Sequence, residues 1–226
     1  MNLYLKRIKA LAFTDLHGKM WVSQELAYKA EEENVDVILV CGDITHFGSS
    51  QDAKNLLSPL IELRIPVLYV PGNCDPPSLV AVTIDGAECI HGISKFCGDI
   101  VFVGVGGSPI TPFSTPFELD EETIMKILKT SLQEGIKGYK LAVVSHSPPK
   151  DTSLDLTQSG IHGGSLSVKR FVKEKKPSVL ICGHIHEARG IDRIEETIAI
   201  NPGPAQDGYY ALLFIGEEVN IDLKSL

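Results

Sequence analysis

The sequence predicts an α/β fold in which helices cover two β-sheets, and two observations predict it. First, short apolar runs alternate with segments of helical periodicity in the first half of the 226-residue chain, in the order β-α-β-α-β. This order implies parallel strands joined by right-handed crossovers. Second, the pattern changes after Asp75 to short strands, further helices and a tail of antiparallel strands. One sheet therefore draws heavily on the first half of the chain, and the other on the second half.

The first half is predicted to contain three strands and two helices. The strands are apolar runs at residues 8–13, 37–41 and 67–70, typical of strands buried on both faces of a sheet. The first helix is predicted at residues 23–33, and the second begins near Ser50 and contains Pro59. Either this helix kinks at the proline, or Ser58 caps a separate short helix with Pro59 at its first position.

The second half follows the same reasoning. Apolar runs bounded by glycines predict the strands, and three- or four-residue apolar spacing predicts the helices. The acidic residues at 120–122 stand at a helix start, where the helix dipole favours negative charge. The predicted strands lie at residues 89–93, 100–105, 141–144 and 179–182, the helices at 120–133 and 165–175, and the tail strands within 191–200 and 209–223.

Five of the apolar runs end in residues that commonly bind metals. These residues are Asp15, His17, Asp43, Asn73, His146, His184 and His186. If the strands share one sheet, all five ends line one edge, where ligands collect in α/β proteins. Taken alone, Asp43 after Gly42 could merely cap a turn. Because the other candidate ligands also follow strand ends, we interpret Asp43 as the centre of a metal site.

The residue types and their spacing indicate which ions fit. Residues i and i+2 of an extended chain point to the same side, so Asp15 and His17 can face one ion together, and so can His184 and His186. Asp, Asn and His suit Mn, Fe, Ni, Co or Zn. Seven ligands are too many for one tetrahedral ion but suit two ions that share a bridging carboxylate and a water. The residual positive charge of such a centre would attract a phosphate oxygen.

The motif order resembles the calcineurin-like metallophosphoesterases. The motifs are Asp-x-His, Gly-Asp, Gly-Asn-x-Asp, Ser-His and Gly-His-x-His, and they span nearly the whole chain. The resemblance implies a four-layer α/β/β/α sandwich of two mixed sheets flanked by helices. It also implies that Asp15, His17, Asp43 and His186 hold one metal, and that Asp43, Asn73, His146 and His184 hold the other.

The resemblance implies a dinuclear metal-dependent phosphoesterase. A hydroxide held between the metals would attack phosphorus in line. Phosphodiesters are the favoured substrates, while phosphomonoesters and nucleic acids remain open as substrates. The alternative is a scaffold that keeps the fold and the metals without catalysis. Specificity would come from the loops at residues 111–117 and 147–164.

One motif departs from the usual family pattern. Many members have His where this chain has Cys74, and that His helps neutralise the transition state or protonates the leaving group. The Cys form resembles a subgroup of small prokaryotic phosphodiesterases, and we interpret Cys74 as a buried structural thiol. The role of Asp75, which would orient that His, is open too.

Three other histidines carry weaker hypotheses. His46 and His162 could contact phosphate or orient a metal ligand, and each could equally be a surface or loop-packing residue. His91, at the end of a short predicted strand, is interpreted as structural.

Composition and net charge indicate the number of domains, the cellular compartment and the class of partner. The absence of a linker or a repeat predicts one domain over residues 1–226, and no apolar run approaches the roughly 18 residues of a membrane span. The odd number of cysteines, several beside the predicted metal loops, favours a reducing, cytoplasmic setting. The net charge of -8 argues against broad binding of nucleic acid and leaves a small phosphorylated substrate as the expected partner. The oligomeric state is left open.

Overall fold

The computed structural model describes residues 7–132, 136 and 138–226. Within them the chain forms twelve strands and four α-helices. In chain order these are β1 Ile8–Phe13, α1 Met20–Glu32, β2 Val37–Val40, α2 Ser50–Glu62, β3 Val67–Tyr69, β4 Ala87–Cys89, β5 Ser94–Cys97, β6 Ile100–Val105, α3 Glu121–Thr130, β7 Lys140–Ser145, α4 Leu166–Lys175, β8 Val179–Ile181, β9 Gly190–Ile194, β10 Thr197–Asn201, β11 Tyr209–Ile215 and β12 Val219–Ser225.

The strands form two mixed sheets of six strands each within the described residues. The first has the order β12-β11-β1-β2-β3-β4, and the second has the order β5-β6-β7-β8-β10-β9. Neighbours from β1 to β4 are parallel, as are neighbours from β6 to β10, whereas β11 runs antiparallel to both β1 and β12. The parallel β-α-β-α-β start and the antiparallel tail hairpins are therefore confirmed.

Three apolar clusters separate four layers. In β1, Leu11 and Phe13 pack under α1 and α2, while Ala10 and Ala12 face the second sheet. This alternation is the period of two that a strand imposes on its side chains. Phe171 of α4 packs on the outer face of the second sheet in the third cluster. The predicted four-layer α/β/β/α sandwich is therefore confirmed.

Most predicted elements are present, and two differ in an informative way. The strand predicted at residues 89–93 is wrong, because β4 ends at Cys89 and β5 begins at Ser94. Gly92 has a φ of +76° in the intervening turn, which carries the chain from the first sheet to the second. The helix predicted to end at Gln133 has its last helical residue at Thr130, and Gln133 itself lies outside the described residues.

Pro59 neither ends α2 nor starts a new helix. The helix runs through it from Ser50 to Glu62, so the separate short helix is wrong. A proline cannot donate to the carbonyl four residues earlier, which here belongs to Asn55. The Ser58 hydroxyl donates to that carbonyl instead, at 2.8 Å. No described helix combines the length and the apolar character needed to cross a membrane.

Candidate metal centre

Five strand ends meet at one end of the sandwich. β1, β2 and β3 lie in the first sheet and β7 and β8 in the second, as the predicted division of the chain into two sheets requires, so the five strands do not share one sheet edge. The two sheets bring their carboxyl ends together instead. His146, after β7, places Nδ1 2.8 Å from Cys41 O, and His184, after β8, donates its backbone N–H to Asp15 Oδ2 at 3.1 Å.

Four of the predicted ligands have a left-handed backbone. The φ angle is 55° at Asp15, 45° at His17, 50° at Asp43 and 70° at His184. This conformation costs a non-glycine residue about 1–3 kcal/mol and persists where surrounding contacts fix it. Here Asp15 N donates to Gly42 O at 3.0 Å, and His17 N donates to Asp43 O at 2.9 Å. The extended backbone expected at Asp15 and His17 is therefore wrong, although their side chains do converge.

Asp15, His17 and His186 form a first cluster of ligand-type atoms. His186 Nε2 lies 3.4 Å from Asp15 Oδ1, and His17 Nε2 lies 3.9 Å from the same oxygen. The two imidazole nitrogens are 3.2 Å apart. Asp15 Oδ1 is buried without a hydrogen-bond partner among the described residues. One of the two imidazole nitrogens can donate to the other, whereas the carboxylate oxygen that they face is left without a donor.

His146, Asn73 and His184 form a second cluster beside the first. A carbonyl oxygen accepts hydrogen bonds and donates none, so the His146 Nδ1–H donates to Cys41 O and leaves a lone pair on Nε2 in the neutral ring. This Nε2 lies 2.9 Å from Asn73 Oδ1, while Asn73 Nδ2 faces Cys74 Sγ at 3.6 Å. His184 packs edge-on against His146 with ring centroids 5.1 Å apart. A nitrogen lone pair and an amide oxygen therefore face each other.

His184 and His186 pack against different partners. The His184 ring lies beside His146, whereas the His186 ring lies 5.1 Å from that of His17. The argument from i, i+2 spacing that these two histidines face one ion together is therefore wrong. Ile185, the one residue between them, precedes a short 3₁₀ turn that begins at His186.

Asp43 lies between the two clusters. Its Oδ2 is 3.6 Å from His17 Nε2 of the first cluster. Its Oδ1 is 3.5 Å from His146 Nε2 of the second and accepts the Cys74 N–H at 2.8 Å. One carboxylate oxygen therefore faces each cluster.

The protonation states of His17, His184, Asp43 and Asp15 at neutral pH fit cation binding, whereas contact with the Asp15 carboxylate raises the pKa of His186. Burial lowers the pKa of His17 to about 4 and that of His184 to about 3, and it raises the pKa of Asp43 to about 6. Burial also disfavours the charge of Asp15, but contact with His186 and the nearby His146 outweighs it and holds the pKa of Asp15 well below its usual range. Neutral imidazoles and ionised carboxylates are the forms that metals bind. Facing acceptors and an unpartnered buried oxygen are what a divalent cation would satisfy.

The comparison with known families agrees with this geometry. The calcineurin-like phosphoesterase family model matches residues 8–188. The chain belongs to this family. The resemblance predicted from the five motifs is therefore confirmed.

This calcineurin-like phosphoesterase is similar to proteins from several prokaryotes. An uncharacterised protein of Methanocaldococcus jannaschii is 38% identical over 205 residues, which cover 88% of this chain and 90% of its own. A probable cyclic nucleotide phosphodiesterase of Vesicomyosocius okutanii is 26% identical, over 76% of this chain and 71% of its own. A crystal structure of a Thermus thermophilus protein has a TM-score of 0.78 at 19% identity, over 97% of this chain and 99% of its own, which shows the shared fold.

Cys74 lies between the predicted ligand Asn73 and Asp75. Its side chain is buried, and burial raises the pKa of the thiol. A thiol that stays protonated at neutral pH is a poor nucleophile and a poor metal ligand. These observations favour a structural thiol, although Cys74 Sγ lies within 4.8 Å of ring nitrogens of both His17 and His46.

Asp75 ties two loops together behind the centre. Its buried carboxylate accepts the backbone N–H groups of Ile44 at 3.1 Å, Thr45 at 2.7 Å and Gly72 at 2.8 Å. It also accepts the Thr45 hydroxyl at 2.8 Å. With both oxygens engaged, Asp75 fixes the loop after β2 against the loop after β3. This contact pattern gives Asp75 a role that does not require a histidine at position 74.

The two weakly predicted histidines lie in different places. His46 is exposed. Its Nδ1 is 3.2 Å from His17 Nδ1, so it contacts a predicted ligand at the ring nitrogen opposite the one that faces Asp15. His162 has a different partner, since its Nδ1 lies 2.7 Å from Asp155 Oδ1. It lines a cavity that His184 also lines.

Two buried polar residues that support the site were not singled out from the sequence. Asp155 anchors His162 and the ends of its loop. Asn201, at the end of β10, donates Nδ2 to Ile185 O at 2.9 Å and accepts Gly203 N at 2.9 Å, which holds the turn between His184 and His186. The polar Asn201 before Pro-Gly-Pro, at the end of an apolar strand, is the signal that would have found it.

His91 gives a prediction about the pH dependence of stability. Its Nδ1 accepts Gly106 N at 2.9 Å, and burial lowers the pKa of His91 to about 4 from an ordinary value of 6.5. As the pH falls below 6.5, His91 becomes protonated in the unfolded chain, whereas in the folded chain it stays neutral until about pH 4. The free energy of unfolding therefore decreases as the pH is lowered from 6.5 to about 4. Urea unfolding in EDTA should show a shallower loss for His91→Asn, which keeps an acceptor. Equal pH slopes for the two proteins would contradict this.

Proposed function

We propose that the protein is a phosphoesterase that uses two divalent metal ions, and that phosphodiesters are its substrates. The observation that carries the proposal is the position of Asp43, with one oxygen toward each ligand cluster. Membership of the calcineurin-like phosphoesterase family supports ester hydrolysis. The relative named a probable cyclic nucleotide phosphodiesterase supports a preference for diesters.

The two clusters give each ion a ligand set. Asp43 would belong to both sets and bridge them. The first set is Asp15, His17, Asp43 and His186, and the second is Asp43, Asn73, His146 and His184. Carboxylate, amide and imidazole ligands suit Mn, Fe, Ni, Co or Zn.

The surrounding residues prepare this site. Bound ions would supply Lewis acidity toward a phosphoryl group and would acidify water. Cys41 O fixes the tautomer of His146, and His46 contacts the far nitrogen of His17, so each ring is oriented from behind. Asp75 holds the loops that carry Asp43 and Asn73 together.

The test combines metal content with turnover. Protein stripped with EDTA is reloaded with Mn, Fe, Ni, Co or Zn, and its metal content is measured beside hydrolysis of bis(p-nitrophenyl) phosphate and p-nitrophenyl phosphate. We expect about two ions per chain, consistent with paired-metal sites, and faster hydrolysis of the diester. Two bound ions without turnover for any metal would favour the non-catalytic scaffold instead. Faster hydrolysis of the monoester would overturn the diester preference.

Three sequence predictions remain predictions. They are a single domain over residues 1–226, a cytoplasmic setting and a structural role for Cys74. Manganese is one of the five candidate metals and has no special support over the other four.

A further inference from the structure

A cavity of about 400 Å³ opens beside the candidate metal centre. One wall is the loop that contains Ile110 and Phe113, and the other is the loop that contains Ile161 and His162. His184, a predicted ligand of the second metal, also lines the cavity. The volume lies within the range of small-molecule sites, roughly 300–1,000 Å³.

The cavity collects large apolar side chains that the fold leaves exposed. Phe113 is 81% exposed, Ile110 is 75% exposed and Ile161 is 65% exposed, and the partly exposed Leu166 lines the same cavity. None of these is needed to fill the three apolar clusters of the fold. Apolar side chains gathered around a concave surface are typical of a ligand site.

The first wall is held in shape by Glu118. One of its oxygens accepts the Thr111 hydroxyl at 2.5 Å, the Thr115 hydroxyl at 2.7 Å and the Thr115 N–H at 2.8 Å. At the base of the loop, the N–H of the buried Phe117 donates to Asn73 O at 3.1 Å. The loop that presents Phe113 is thereby anchored to the residue predicted to bind the second metal.

The second wall is held in shape by Asp155. Its buried carboxylate accepts the N–H groups of Thr152 at 2.9 Å and Gly164 at 3.0 Å, which lie on opposite sides of the loop, and it also contacts His162. At the loop tip, Gln158 N donates to Glu187 Oε1 at 2.9 Å, next to His186. Both walls are therefore fixed by carboxylates before any ligand arrives, which lowers the ordering cost of binding.

The position of the cavity indicates what occupies it. Because His184 belongs to both the centre and the cavity wall, a phosphoryl group at the centre would direct one ester substituent toward the apolar walls. A larger cavity of about 580 Å³, lined in part by Lys176 and Glu217, lies near the start of β8 and includes none of the predicted ligands. Ligands of α/β sheets bind beyond the carboxyl ends of strands, which favours the cavity beside His184.

We infer that this cavity is the subsite for one ester substituent of the phosphoester and that it takes an aromatic or other apolar group. The inference rests on the proposed function and deepens it by naming a substrate class. An aromatic ring placed between Phe113 and Ile161 would remove apolar surface of both partners from water. We expect this burial to strengthen binding by about 10- to 100-fold over a methyl group.

The experiment measures binding rather than turnover. Benzylphosphonate carries CH₂ in place of the ester oxygen of phenyl phosphate and resists hydrolysis, and methylphosphonate carries the same charge without the ring. Their dissociation constants with metal-loaded protein are measured by calorimetry for the wild type, Phe113→Ala and Ile161→Ala. Phe96→Ala is the matched control, because Phe96 is an exposed aromatic on β5 outside the cavity.

The expected result is a preference for benzylphosphonate of at least about tenfold in the wild type and in Phe96→Ala. The preference should shrink to about threefold or less in the two cavity variants, with methylphosphonate binding unchanged. A wild type that binds both phosphonates equally would overturn the inference and leave the proposed phosphoryl site standing. A preference that survives in both cavity variants would also overturn it. Failure to bind either phosphonate with both metals loaded would also overturn the inference, whereas the proposed function is overturned only if the metal-loaded protein fails to hydrolyse the diester in the turnover assay.

Discussion

Asp43→Asn is expected to lose both metal ions together and at least about 10³-fold in phosphodiesterase rate, the effect of removing several kcal/mol of transition-state stabilisation. Asp43 faces His17 with one oxygen and His146 with the other, so its charge serves both clusters. Asn keeps the shape, and its one carbonyl oxygen can still accept the Cys74 N–H, but it offers no second anionic oxygen. Metal content per chain, measured beside the rate, checks this.

Two comparisons separate loss of the bridge from loss of the fold. Burial raises the pKa of Asp43, so a neutral side chain there should not lower the thermal stability of the metal-free protein. Asn73→Ala should weaken the second ion and leave the first largely bound, because Asn73 contacts His146 and not the first cluster. Two ions and a near-normal rate in Asp43→Asn would show that Asp43 does not bridge.

The parts of the fold that could be predicted are those in which local sequence determines the outcome. The strands Ile8–Phe13 and Ile100–Val105 match the predicted bounds, because a strand covered on both faces is almost wholly apolar, and the partly buried Lys9 is the one charged residue in the two strands. The polar residues after β1, β2, β3, β7 and β8 also identified the site, since the residues that follow these strands lie at the ends of the sheets. Strand bounds and candidate ligands could both be predicted because each depends on a few adjacent residues.

The parts that could not be predicted depend on contacts distant in sequence. The sequence divides the strands between two sheets, but nothing near β3 or β7 indicates that the ends of these two strands meet, which they do only because the sheets stack. The contact between His146 and Asn73 joins residues 73 positions apart. In the sequence Asp155 resembles many other loop carboxylates, and its role depends on the folded loop that surrounds it.

Gly72→Ala should damage both stability and metal binding, because the loops after β2 and β3 touch at this glycine. A Cβ at Gly72 would lie 2.0 Å from Asp43 Oδ1 and 2.1 Å from Asp43 N, where atoms of different residues cannot coexist. The backbone of one loop must therefore move, and Asp75, which accepts Gly72 N at 2.8 Å, opposes the shift. We expect a loss of about 3 kcal/mol or more in the free energy of unfolding, at the upper end of overpacking effects.

The experiment is urea unfolding in EDTA, followed by metal analysis of the reloaded protein. Gly190→Ala is the matched control, because a Cβ there meets its nearest atom, Leu154 Cδ2, at an ordinary 3.8 Å. It should change the free energy of unfolding by at most about 0.5 kcal/mol and keep both ions. Gly72→Ala and Asp43→Asn should both lose metal, but Gly72→Ala alone should also destabilise the metal-free protein. If Gly72→Ala unfolds at the wild-type urea concentration and binds two ions, the close approach of the two loops does not position Asp43.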